Sequence, residues 1–144
     1  MYPSQYNLVQ CEPYQSFENQ PYRIYFTFEV QMLMFIHSYL SKHEVIGLLG
    51  GRTYDSGCFM KGTGEPIKYL IVSKIYPSES CTKQPSVRLK NCEISDEQQI
   101  KIQEQMDKDG VVKLAWYHSH PIFEVDPSVL DLQTHQRWQS CFDT

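Results

Sequence analysis

The residues with the most chemistry in their spacing are Trp116-Tyr117-His118-Ser119-His120-Pro121, followed after six residues by Ser128-Val129-Leu130-Asp131. His118 and His120 end a run patterned as a strand, Val111–His118 (VVKLAWYH). Side chains at i and i+2 leave a strand on the same face, so the two imidazoles can converge on one metal ion. Pro121 turns the chain away, and Asp131, one turn into the helix expected next, can return a carboxylate. Two histidines and one carboxylate leave a fourth zinc position open, which is the pattern of a catalytic rather than a structural site. Such a site needs a proton carrier. Glu44, at the head of the apolar run Val45–Leu49, is the candidate. The Ser128 hydroxyl can donate to an oxyanion. The chemistry implied is hydrolysis by an activated water.

The positioning elements follow from the pattern. Ile24–Phe28 is aromatic and β-branched, a strand candidate. Thr27 can cap the amphipathic helix expected over Glu29–Leu40, where Val30, Leu33, Met34, His37 and Leu40 recur at helical spacing. Val45–Leu49 reads as a buried strand ended by Gly50-Gly51, with further turns at Gly57, Gly62 and Gly64. Tyr69–Tyr76 is a strand stopped by Pro77, and residues 77–92 form a long polar loop. Ser95 and Gln98 make a capping box for a helix that closes at Gly110. Val111–His118 is the next strand, and Ser128-x-x-Asp131 opens the last helix. Strands alternating with helices indicate an α/β or α+β sheet fold.

A chain of 144 residues fits one domain, and 41% hydrophobic with 21% charged residues is ordinary globular usage, which excludes disorder as the dominant state. The net charge of −4 speaks against nucleic-acid binding through the bulk field. No apolar run approaches membrane-spanning length. The five cysteines (Cys11, Cys58, Cys81, Cys92 and Cys141) are odd in number and widely spaced, so they read as reduced thiols of an intracellular protein. Residues 1–22 carry Glu12 and Glu18 but no Lys or Arg, and resemble neither a signal nor a transit peptide. They read as an extended or disordered lead-in to a domain over 23–144.

H-S-H-P-x6-S-x-x-D with the upstream E-V-I-G-L-L-G-G resembles the JAMM motif of the MPN+ zinc metalloproteases. Within that family, W-Y-H-S-H-P-x-F-x-x-x-P-S is similar to the histone deubiquitinase branch that also carries SANT and SWIRM modules; no such module lies in these residues. The resemblance implies a cytidine-deaminase-like MPN domain with a mixed sheet flanked by helices. It implies His118, His120 and Asp131 as zinc ligands, Glu44 as general acid/base and Ser128 as stabiliser of the tetrahedral intermediate. The activity implied is that of a deubiquitinating isopeptidase acting on a ubiquitin-conjugated protein such as a histone, within a multiprotein complex, with nucleus favoured over cytoplasm. The charge and the short apolar runs lead us to expect no direct contact with nucleic acid or membrane. Gln133 stands where an endosomal branch has a second-zinc histidine, so one zinc is expected. The family's domain continues beyond the motif helix, so Thr144 is expected to fall before its C-terminal end.

Plainer roles compete. A scaffold MPN domain without catalysis, or an inactive fragment serving assembly, is the alternative function; a nucleoside deaminase lacks its P-C-x-x-C pair here. Ser128 and Asp131 also make a good capping box, which is compatible with a site role. His37 reads as a core histidine, His135 as packing or exposed, Cys92 as no ligand, Trp116 and Tyr117 as strand packing, and Trp138 as helix core. Residues 77–92 read as a surface connection; the family resemblance implies instead that this segment pairs with the extended ubiquitin tail, and the alternation of Val87 and Leu89 around Arg88 permits the short strand that this needs.

Overall fold

The computed structural model describes residues 8–11, 20–78, 94–121 and 125–142, with only the backbone of 141–142. Two compact units are present, residues 14–121 and residues 1–13 with 122–144.

In the first unit, four strands form one mixed sheet in the order β1-β3-β2-β4. β1 (Tyr22–Phe26) runs parallel to β3 (Pro66–Ser78), while β2 (Ile46–Phe59) is antiparallel to both β3 and β4 (Val112–His118). Helix α1 (Phe28–Tyr39) joins β1 to β2, and α2 (Asp96–Asp109) precedes β4. β1 ends two residues before the expected Phe28 because Thr27 is the helix cap. Its N–H donates to Val72 O (3.0 Å) and its hydroxyl accepts from Val30 N (3.4 Å), so Phe28 already belongs to the helix. Ser95 caps α2 as expected, accepting from Gln98 N at 3.3 Å. Gly110 closes it in the left-handed region (φ 67°), where a side chain would be strained.

β2 does not stop at Gly50-Gly51 but runs on to Phe59. The two glycines are needed for packing, not for turning. The β2–β3 register slips between Gly50 and Gly51, and the β2–β4 register slips between Leu49 and Gly50. A Cβ on Gly50 would press on Tyr76 and Val111 at 2.9 Å, and one on Gly51 would collide with the Ile71 carbonyl. β3 likewise continues through Pro77, paired with Gly47. That is tolerated because β1 pairs only with Lys68–Val72, so among the described residues no strand pairs with Pro77 on that side.

Residues 46–51 of β2 are buried on both faces, which is why they read as a continuous apolar run. On one face Leu49 packs with Val30 of α1 and Val72 of β3, joined by Met34, Ile75, Leu114 and Tyr117. On the other, Leu48 (0% exposed) lies opposite Tyr76, whose ring, with Met106 of α2, closes over Gly50. Each such aliphatic side chain contributes about 1.5–3 kcal/mol on burial.

In the second unit, α3 (Val129–Phe142) is preceded by an antiparallel bridge between Leu8 and Ser128, with Val9 N donating to Pro127 O (2.8 Å). Among the described residues, no helix is long and apolar enough to cross a membrane.

Candidate metal centre

His118 is the last residue of β4 and pairs with Ile46 of β2. Beyond that pair the ladder is continued by one residue through Ser119. Its N–H donates to Val45 O at 3.0 Å, and its hydroxyl accepts from Val45 N at 3.0 Å. Directly paired residues project to one face, so His118 and Ile46 share one, and Glu44 and His120 each lie two residues beyond that last pair. Glu44, His118 and His120 therefore all lie at the same end of the β2–β4 ladder. Glu44 is only 6% exposed, the one buried charged side chain among the described residues.

The two imidazoles are turned on one another, Nε2 to Nε2 at 2.8 Å. That requires one Nε2 to donate and the other to accept, and it aims both ring nitrogens at the same spot. Trp116 lies one strand period earlier, on the same face. Its ring is stacked on His118 with centroids 4.9 Å apart and planes 14° from parallel, which limits rotation of that imidazole. Tyr117 faces the other way. It covers Gly47 and its hydroxyl meets His37 Nδ1 at 2.7 Å. Burial pushes the Tyr117 hydroxyl up and the His37 imidazole down from their ordinary pKa values.

In the other unit, Ser128 and Asp131 form the reciprocal capping box at the start of α3. Asp131 Oδ2 accepts from both Ser128 N and Ser128 Oγ at 2.7 Å, and Asp131 N donates to Ser128 Oγ at 3.1 Å. The Ser128 proton is thus directed at the carboxylate. Imidazole nitrogens, as on His118 and His120, and carboxylate oxygens, as on Asp131, are the donor types that suit zinc.

The remaining expectations divide simply. His37 is half-buried and hydrogen-bonded, His135 is exposed, and Trp138 is half-buried. Cys11 and Cys58 are exposed free thiols. Cys81, Cys92, the side chain of Cys141 and the Val87–Leu89 segment lie outside the described residues. Ser119, bonded to Val45, and Trp116, stacked on His118, make contacts beside the histidines that the sequence pattern did not single out. The signal for Trp116 was there, since i−2 from His118 on a strand is the same face. Nothing local marked Ser119, whose role depends on a strand 74 residues away.

No family model matches the chain. It is 30% identical over 140 residues to the human deubiquitinase MYSM1, covering 95% of this chain and 15% of that protein. It is 27% identical over 140 residues to the histone deubiquitinase MYSM1 of Xenopus laevis, again 95% and 15%. A human MPN domain-containing protein is 29% identical over 120 residues, 83% of this chain and 22% of that one. The chain thus spans less than a quarter of these relatives' length. Among solved structures, protein DSY2949 from Desulfitobacterium hafniense is similar with a TM-score of 0.59 and 26% identity, covering 77% of this chain and 66% of that chain.

Proposed function

Starting from the relationship of this chain to the MPN/JAMM family, carried by its deubiquitinase and MPN domain-containing relatives, we propose that it is a zinc-dependent isopeptidase. The bond it hydrolyses joins a ubiquitin C-terminus to a substrate lysine. The observation that supports this reading best is the meeting of the His118 and His120 Nε2 atoms at 2.8 Å, together with the buried Glu44, which immediately precedes the Val45 bonded to Ser119 between them.

His118, His120 and Asp131 would hold one zinc ion. Zinc in such a site supplies Lewis-acid polarisation of a carbonyl and activation of water near neutral pH. The chain's own residues do the rest. Glu44 takes the proton that the attacking water loses and delivers it to the departing lysine Nζ as the C–N bond breaks; the second water proton then leaves the new carboxyl group for the amine, giving a carboxylate and an ammonium. The Ser128 hydroxyl turns its proton from Asp131 to the developing oxyanion. The Trp116 ring keeps the His118 imidazole in its ligating orientation. No covalent intermediate is involved. A relative is a histone deubiquitinase, so a ubiquitinated histone is the substrate to try first, with a nuclear setting and a multiprotein complex as corollaries.

Metal analysis of the purified chain tests the reading. The expected content is about one zinc per chain, lost on His118→Ala, His120→Ala or Asp131→Ala in protein that remains folded. Folded wild-type protein that takes up no zinc contradicts it and leaves a scaffold role.

A further inference from the structure

Ser119 sits between the two histidines and has no ligand role in the reading above. We infer that it is a positioning residue for Glu44, and this inference rests on that reading for its catalytic consequence only. The regular ladder between β2 and β4 ends at the pair Ile46 and His118. One residue further on, backbone pairing would ordinarily lapse, because His120 and Pro121 leave the strand. The Ser119 side chain replaces the missing bond. Val45 N–H donates to Ser119 Oγ at 3.0 Å, while Ser119 N–H donates to Val45 O at 3.0 Å. Both bonds fall on one residue of the opposite strand, and that residue immediately follows Glu44.

Val45 is 9% exposed, so its N–H has little access to water as a replacement partner. Without the hydroxyl, that buried donor is left unsatisfied, and the chain end carrying Glu44 gains freedom to pull away from β4. A carboxylate that moves a proton must stay within hydrogen-bond reach of it, and a shift of about 1 Å at such a group costs up to about 100-fold in rate. His118 is held independently of this clamp by its pair with Ile46 and by the Trp116 stack, and the His120 ring is turned on His118 at 2.8 Å. Zinc binding and proton transfer are therefore separable at Ser119. Threonine, which keeps the hydroxyl and is at home beside a strand, can replace it; alanine cannot.

The experiment compares wild type, Ser119→Ala and Ser119→Thr in the 144-residue chain by amide hydrogen exchange at Val45, by zinc content, and by kcat and KM on a ubiquitin–lysine isopeptide, alone and with Glu44→Gln. The clamp predicts that Val45 exchange accelerates at least about tenfold in Ser119→Ala and stays near wild type in Ser119→Thr. It predicts unchanged zinc content and KM, with kcat down by about 10–100-fold in the alanine variant and restored by threonine. In the Glu44→Gln background Ser119→Ala adds no further loss, since there is no carboxylate left to position. Unchanged Val45 exchange in Ser119→Ala overturns the clamp whatever the activity. Full additivity of the two substitutions overturns the positioning role. A wild type without cleavage fails the isopeptidase reading instead, and the exchange result then still decides the clamp.

Discussion

Replacing Gly47 with alanine tests how tightly the strand bearing Glu44 is seated on the strand bearing the histidines. A Cβ built on Gly47 lies 2.5 Å from Tyr117 Cε1, 2.6 Å from its hydroxyl oxygen and 2.7 Å from Cζ. Ordinary carbon contacts are about 3.5–4.0 Å, so the phenol ring must retreat by roughly 1 Å. The ring is not free to do so, because its hydroxyl is held by His37 Nδ1 at 2.7 Å and its body packs against the cluster of Val30, Leu49 and Val72. Overpacking of this kind costs about 1–3 kcal/mol, and loss of the hydrogen bond about 1 kcal/mol more. Gly47→Ala is therefore expected to destabilise the chain by about 2–4 kcal/mol, read as a lowered urea midpoint at constant slope. Adding Tyr117→Val removes the obstructing ring, so the alanine should cost little in that background, with a coupling of at least about 1 kcal/mol across the cycle. A Gly47→Ala variant within about 0.5 kcal/mol of wild type, or strict additivity with Tyr117→Val, would refute the reasoning.

Three other outcomes follow from the same geometry. Trp116→Leu removes the plane that orients His118, and chelator competition should show zinc affinity reduced about 10–100-fold, with Trp116→Phe in between. Ser128→Ala removes the cap of α3 and the hydroxyl donor to Asp131 Oδ2; it should cost about 1 kcal/mol and speed amide exchange in the first turn of α3, with threonine restoring most of both. Burial holds the His37 imidazole below its ordinary value of 6.5, so below that pH the unfolded chain binds a proton that the folded chain refuses. Stability should accordingly fall as pH drops from about 6.5 through the folded pKa and then level off, and urea midpoints of His37→Gln should lack that part of the slope.

Much of this was legible in the residues because the governing interactions are local. The caps at Thr27 and Ser95, the Gly110 closure and the Ser128–Asp131 box all act within four residues, and the structure places each as expected. The alternation of His118 and His120 is local as well, and so is the buried run after Glu44. What escaped was set by neighbours distant in sequence. Gly50-Gly51 looks like a turn until Tyr76, Met106 and Ile71 are seen to need the space. Pro77 looks like a strand end until β1 is found to stop short of it. Tyr117 and Trp116 looked alike as packing residues, yet one faces His37 and the other stacks on His118.

The most direct measurement is cleavage of a ubiquitin–lysine isopeptide by the zinc-loaded chain beside its Glu44→Gln variant, with zinc content and folding checked in both. The account predicts cleavage by the wild type and a loss of at least about 10²–10⁴-fold in a variant that still folds and still carries zinc. A zinc-loaded, folded wild type that leaves the bond intact, or a Glu44→Gln variant that cleaves as fast, would contradict it.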